Sequence, residues 1–291
     1  MTNHLLFRVK KKLLTMTIKN NIIKDSYKHN LTYNYLYKKN KSLIDSSHYD
    51  KMAVKETKKI WVCWFQGLDS APDIVKTCFN RLKNNFSGYD IVLITEKNFK
   101  DYVQIPEFII EKWKKGIISY THFSDILRTF LLADVGGIWV DSTVYVTASS
   151  MPKYISDNPF FAFKEINLDR SDIPSVVASS WFIKSNKNNP ILLLTKDLIC
   201  EYWKKSSVLI DYYLFHLFFA MSCRKYNDIW DSVPTYNNVN PHVMQFELFN
   251  KYNKERFNYY AAISDFHKLT YKFHGKEITK DTNIGHILGD K

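Results

Sequence analysis

The chain changes texture near residue 60. From Lys59 onward, short apolar runs alternate with segments whose apolar residues recur at helical spacing, and this alternation predicts the order of elements. Ile60 to Phe65, closed by Gly67, reads as a buried strand. Pro72 then starts a helix whose stripe is Ile74, Val75, Cys78, Phe79 and Leu82, and Tyr89 to Thr95 reads as a second buried strand. Strand, helix and strand in so short a span form a βαβ unit, which implies parallel strands joined by a right-handed crossover. Further helices are predicted over Pro106 to Gly116 and Thr121 to Asp134, the second ended by Gly136 and Gly137 before a third strand, Ile138 to Val140. The second half is less regular. Strands are expected at Phe160 to Ile166 and Val176 to Ile183, helices at Pro190 to Lys204, Val208 to Tyr226 and Pro241 to Phe249, and alternating basic and apolar residues from His267 to Lys276 suggest a lysine-protected edge strand.

Residues 1 to 59 show no period that would bury a face well. They mix Lys, Asn, Tyr and Ser with short apolar stretches, and Leu5 to Ile18 reads either as a basic amphipathic helix resting on an anionic membrane or as a solvated basic tail. This sets the domain expectation: a basic N-terminal extension over 1–58 and one α/β domain over 59–291.

Charge sharpens the contrast. The formal net charge of +12 would suit a nucleic-acid partner if it were spread evenly, but 14 basic against 4 acidic side chains fall in residues 1 to 59, leaving 27 against 25 in the rest. A near-neutral body without a recognition-helix or RRM pattern predicts no nucleic-acid partner. Cys63, Cys78, Cys200 and Cys223 form no CxxC pair, so they predict neither a zinc knuckle nor a disulfide framework. With no apolar run of membrane-spanning length and no secretion-signal order at the N-terminus, the expected location is the cytoplasm, with peripheral contact at the inner face of the plasma membrane through residues 5 to 18.

The chemistry concentrates in residues 124 to 141, SDILRTFLLADVGGIWVD. Asp125 and Arg128 share a helix face, where a carboxylate can accept from a sugar hydroxyl and a guanidinium can donate to one; a surface ion pair gives the same spacing. Gly136 and Gly137 fit a helix cap or a close approach of backbone to ligand. Asp141 falls where an apolar strand runs out, and in open α/β sheets ligands bind at that carboxyl edge.

The order Ser124-Asp125-x-x-Arg128 followed by Gly136-Gly137-Ile-Trp-Val-Asp141 resembles the donor-binding core of the capsular polysaccharide synthesis proteins, relatives of glycosyltransferase family 32 and of sugar-transferring bacterial toxins. The opening KIWVCWFQG with Ala71-Pro72, the run Trp181 to Ser185 and the run Ile210 to His216 resemble the same family, so the likeness extends from about residue 59 to about 273. It implies a single GT-A type domain, Rossmann-like with a mostly parallel sheet, that moves a sugar from a nucleotide-sugar donor to a hydroxyl of a growing capsular or other surface polysaccharide, on a glycan or lipid-linked oligosaccharide acceptor, with retention at the anomeric carbon. The resemblance assigns Asp125, Arg128 and Asp141 to catalysis and donor binding, adds Ser124, Gly136, Gly137 and Thr143 to the donor site, and makes Trp61 or Trp64 the residue stacked on the nucleobase.

Lys268 is a further donor-site candidate, on a segment whose Lys or His residues would contact the diphosphate. Asp211 is a candidate for catalysis and, with His216, for the acceptor side. Asp141 belongs to a DXD-like motif facing Mn²⁺ or Mg²⁺, but the second carboxylate is replaced by Thr143, which weakens the expected metal site. Three rival readings follow from the same residues. A GT-A-like protein of little or no activity in a polysaccharide assembly complex fits the missing carboxylate, a glycosidase would use Asp125 and Asp141 as its carboxylate pair, and a nucleic-acid binder would use the basic leader.

Overall fold

The structure is a computed structural model that describes residues 3–166 and 175–289. Two N-terminal helices, α1 (Asn3–Leu14) and α2 (Asn21–Ser46), precede the α/β body. The body begins with β1 (Lys59–Cys63), α3 (Asp73–Asn85), β2 (Asp90–Ile94), α4 (Glu107–Lys114), α5 (Tyr120–Asp134), β3 (Gly137–Val140) and β4 (Val144–Val146). It continues through α6 (Lys153–Ser156), β5 (Phe160–Lys164), β6 (Ala178–Ser185), α7 (Pro190–Lys205), α8 (Leu214–Lys225), α9 (Asn227–Ser232), α10 (Val243–Glu247), α11 (Lys254–Ala262), β7 (Phe266–Lys268) and α12 (Asn283–Gly289).

The central sheet has the order β2-β1-β3-β6-β5. Strand β1 pairs in parallel with β2 and β3, and β6 runs antiparallel to both of its neighbours, so it alone is reversed in a mainly parallel sheet. The first three strands therefore end together. Cys63, Ile94 and Val140 lie at the carboxyl edge where the sequence places Asp141. Strands β4 and β7 form a separate antiparallel pair beside that edge, with Val144 opposite Lys268.

Helix α5 is buried nearly all round, as its apolar run from Phe123 to Ala133 requires. Its N-terminus is capped by Ser119, whose hydroxyl accepts from His122 N, and it packs against α7, α8, β3 and β6. A second, smaller core joins α3 and β4 to α10, α11 and α12 through Ile74, Tyr145, Met244, Phe257 and Ile284.

The N-terminal segment corrects the reading that it buries no face. Helix α2 packs on α8 and α7, with Leu36 fully buried and Ile44 nearly so, each contributing about 2 kcal/mol of apolar transfer energy. Thr32 and Tyr33 are buried beside them. The period is masked in the sequence because Lys and Asn separate these positions and two of the inward residues are Thr and Tyr.

Three other expectations shift. The helix expected from Val208 starts only at Leu214, because Asp211 Oδ1 accepts from Tyr213 N and holds a turn there. The Pro241 to Phe249 helix is a short turn of tight helix at Asn240–His242 followed by α10. The edge strand expected at His267 to Lys276 is limited to β7, whose pairing with β4 is continued in register by one bond from Leu269 N to Thr143 O; strand structure does not extend beyond it.

Candidate functional site

Three elements meet at the carboxyl edge. Helix α5 brings Asp125 and Arg128, the end of β3 brings Asp141, and β7 brings Lys268. Arg128 is the centre. Its Nη1 lies 3.3 Å from Asp125 Oδ1 and donates to the Ser180 carbonyl at 2.6 Å, while Nη2 lies 3.4 Å from Asp141 Oδ1. The guanidinium carbon stands 4.9 Å from the Trp139 ring centroid and 5.6 Å from that of Phe215, a cation–π setting that fixes the fork in place. The i,i+3 pair expected from the sequence is thus a buried ion pair rather than a surface one.

Asp141 is held from three directions. Trp139 Nε1 donates to its Oδ1 at 2.9 Å, and Lys268 Nζ lies 3.2 Å from its Oδ2. Burial pushes the carboxyl toward its neutral form, but the charges of Lys268 and Arg128 and the hydrogen bonds from Trp139 and Lys268 outweigh it and keep the group below the usual carboxylate range. Asp141 is ionised at neutral pH. Its side chain keeps 27% of its surface exposed against 4% for Arg128, so a ligand meets this carboxylate first.

Two histidines complete the surroundings, and sequence reasoning missed one of them. Trp203 Nε1, which can only donate, reaches His122 Nε2 at 3.1 Å; the imidazole proton therefore sits on Nδ1, which faces Asp125 Oδ2 at 3.8 Å. His216 lies within the electrostatic reach of Asp125, Arg128 and Asp141, and its Nδ1 is buried without a partner. Burial lowers its pKa to about 4, against the pull of Asp125, so it is neutral at physiological pH. Tyr212, also missed, is exposed at the rim and feels Asp125 and Asp141. The signal for it is its place in the Ile210 to His216 run, between Asp211 and His216.

Ser124 sits beside Cys63, at the end of β1. Trp64 is half-buried near the same edge, edge-on to Tyr271 at 5.3 Å, and its Nε1 is buried without a partner. Trp61 is corrected to a core residue. It is fully buried and donates from Nε1 to the Gly136 carbonyl at 2.8 Å, which leaves no face for a nucleobase.

Gly136 and Gly137 are corrected as well. They occupy the start of β3, the opposite end from Asp141, with φ of 81° and 109°. A Cβ on Gly136 would stand 2.7 Å from Lys187 N, and one on Gly137 2.7 Å from Lys59 O. What presses on them is neighbouring backbone, so they serve the helix-to-strand turn and not a donor.

Asp211 is corrected from a catalytic candidate to a structural anchor. Its Oδ2 lies 2.9 Å from Lys11 Nζ and accepts from Thr32 Oγ1 at 2.9 Å, and its Oδ1 lies 3.2 Å from His29 Nδ1. Burial opposes its ionisation, yet the hydrogen bonds and charges of His29 and Lys11 hold its carboxyl far below the usual range. Both oxygens are engaged in fastening α1 and α2 to the body.

The two residues expected to hold metal, Asp141 and Thr143, are both in contact with Lys268. Thr143 is buried and its hydroxyl accepts from Lys268 Nζ at 2.6 Å, so one ammonium contacts both Thr143 and Asp141. Mg²⁺ in such sites takes one or two carboxylates together with substrate phosphates and water; here Asp141 is the one carboxylate of the pair, and it already contacts Lys268 and Arg128. Next to Lys268 in β7, His267 is buried against Thr147, and burial lowers its pKa to about 4, which takes it out of contention as a cation for phosphate.

A mainly parallel sheet whose carboxyl edge presents two carboxylates bridged by one arginine defines an α/β protein with a charged site at that edge. The sequence matches the capsular polysaccharide synthesis protein family over residues 12–287, and the chain belongs to that family. The match includes most of the N-terminal segment, in keeping with its packing on the body. Comparison with curated proteins returns no match. Among solved structures, the PaToxG glycosyltransferase is similar at 15% identity with a TM-score of 0.40, covering 79% of this chain and 83% of that one.

Proposed function

We propose that the protein is a glycosyltransferase of GT-A type that moves a sugar from a nucleotide-sugar donor to a hydroxyl of a surface-polysaccharide acceptor. The observation that carries this reading is the bridge from Asp125 through Arg128 to Asp141 at the carboxyl edge of β1 and β3, in a chain of the capsular polysaccharide synthesis family. Two carboxylates can accept from vicinal hydroxyls of the donor sugar while the guanidinium donates to them, and the fixed fork sets the orientation. Trp64 stands at the end of β1 as the stacking candidate for the base.

In the transfer, the bond between the anomeric carbon and the diphosphate oxygen breaks and the electron pair leaves with the nucleoside diphosphate. The acceptor hydroxyl oxygen bonds to the same carbon from the same face, giving retention, and its proton passes to the departing phosphate oxygen. Preorganised positive charge is what this step needs. Lys268 and Arg128 supply it, and Lys268, already in contact with Asp141 and Thr143, takes the place that a metal occupies beside a full DXD. In this reading the Lys268 ammonium is the resident cation facing the departing diphosphate. His216, neutral and with a buried unpartnered nitrogen, and Tyr212 at the rim face the acceptor side.

The test is a donor screen in which release of nucleoside diphosphate is followed with and without chelator. Turnover of at least one nucleotide sugar by the wild-type chain, abolished in Asp141→Asn, supports the reading; glycan hydrolysis in the absence of any nucleotide sugar would replace it with a glycosidase.

A further inference from the structure

Helix α1 has two opposite faces. His4, Phe7 and Lys11, at i, i+3 and i+7, point inward: the His4 ring lies 5.0 Å from that of Tyr202, Phe7 stacks on Tyr35 at 4.1 Å, and Lys11 pairs with Asp211. Leu6, Val9 and Leu13 repeat the same spacing on the outer face, 54%, 49% and 63% exposed. Met16 and Ile23, in the connection to α2 and its first turn, are exposed as well. The helical angles place Arg8 and Lys12 along one flank of this stripe and Lys10 along the other. Below the Arg8 and Lys12 flank lies an open cavity of about 820 Å³, whose wall carries Arg8, Lys11, Lys12, Lys24 and Lys28 against only two carboxylates, Asp25 and Asp211. Its far wall ends at Tyr212, which sits at the rim of the Asp125 and Asp141 site.

We propose that the α1–α2 pair docks the protein on an anionic membrane leaflet. Leu6, Val9, Leu13, Met16 and Ile23 enter the headgroup layer, and the basic cavity seats the phosphates of acidic lipids. An apolar stripe flanked by lysines is the pattern that lies in the plane of a membrane surface, and no helix of the described residues is long and apolar enough to cross one. The inner face of α1 is fastened through Asp211, so docking fixes the orientation of the whole body. It turns the Tyr212 rim toward the leaflet, from which a lipid-linked acceptor would be met. The docking itself does not depend on the transferase reading.

Co-sedimentation with vesicles tests it. The full chain is expected to sediment with vesicles containing phosphatidylglycerol and to stay in solution with pure phosphatidylcholine. High salt should release it, since the Debye length falls to about 3 Å at 1 M. Leu13→Glu with Met16→Glu, both at exposed positions, should abolish sedimentation while the circular dichroism spectrum and donor turnover in vesicle-free solution stay unchanged. Lys12→Gln with Lys24→Gln should weaken binding about 25-fold, about five-fold for each lysine lost. Equal binding to both vesicle types, or binding indifferent to these substitutions, overturns the proposal. So does a solution dimer that dissociates in Leu13→Glu, because the stripe would then be covered by a second copy. Because donor turnover is read without vesicles, failure of the docking and failure of the transferase assignment are distinguishable.

Discussion

Lys268 Nζ lies 3.2 Å from Asp141 Oδ2, which joins the end of the third strand to a residue 127 positions further along the chain. The β4–β7 pairing makes this contact possible: Val144 lies opposite Lys268 in register, so the ammonium also meets the Thr143 hydroxyl. A cation is thereby built into the place where a second carboxylate would have recruited one. Lys268→Met is expected to lower donor turnover by about 100-fold or more, without rescue by Mn²⁺. Turnover by the wild type that collapses on chelation, or a fully active Lys268→Met, would contradict this role.

Asp211 offers the opposite case, a carboxylate near the site that holds the fold. Asp211→Asn leaves Lys11 and His29 without their counter-charge, and the expected cost is about 3 kcal/mol of stability, read as a lower denaturation midpoint in urea. Turnover per folded molecule should be unchanged. A large loss of turnover with unchanged stability would restore Asp211 to the catalytic group.

Gly137 separates a turn role from a donor role in the same manner. Gly137→Ala places a Cβ against Lys59 O and Trp61 Nε1 at a φ of 109°, and a destabilisation of at least about 2 kcal/mol is expected. Donor affinity of the fraction that folds should match the wild type; isothermal titration distinguishes the two effects.

The buried histidines set the pH response. His267 titrates near 4 in the folded chain against an ordinary value of 6.5, so the unfolded chain binds the proton first as pH falls. Its contribution to stability is complete above pH 6.5 and is lost between about 6.5 and 4, on the order of 3 kcal/mol for such a shift. His216 acts in the same direction over the same window. Thermal unfolding followed from pH 7 to 4.5 should show a falling Tm, and His267→Gln should flatten that fall. A Tm that holds steady across this window in the wild type would be inconsistent with neutral buried imidazoles.

Much of the body was legible because its signals are local. The apolar run from Ile60 to Phe65, of which β1 takes the part up to Cys63, the stripe of α3, the nearly all-apolar α5 and the Gly136-Gly137 stop are each set by residues close in sequence, and from them the parallel strands and the edge carrying Asp141 follow. The convergence of Asp125, Arg128 and Asp141 was likewise readable from one continuous segment. What escaped was long-range. Asp211 looked like chemistry because the sequence does not reveal that Lys11, Thr32 and His29 fold back onto it. The glycines were placed correctly before β3 but also given to the donor site, since a turn glycine and a ligand-facing glycine look alike until the neighbouring backbone is seen. The burial of α2 rests on Thr32, Tyr33, Leu36 and Ile44, a mixed set whose period is masked by intervening lysines and asparagines.

The most direct test of the central claim is isothermal titration of a panel of nucleotide sugars into the wild-type chain, Arg128→Lys and Asp141→Asn. At least one donor should bind the wild type, and both substitutions, which leave the surrounding core in place, should weaken that binding by about ten-fold or more, the loss of one charge-assisted contact. Binding of no nucleotide sugar by the wild type, or equal affinity in all three proteins, would contradict it.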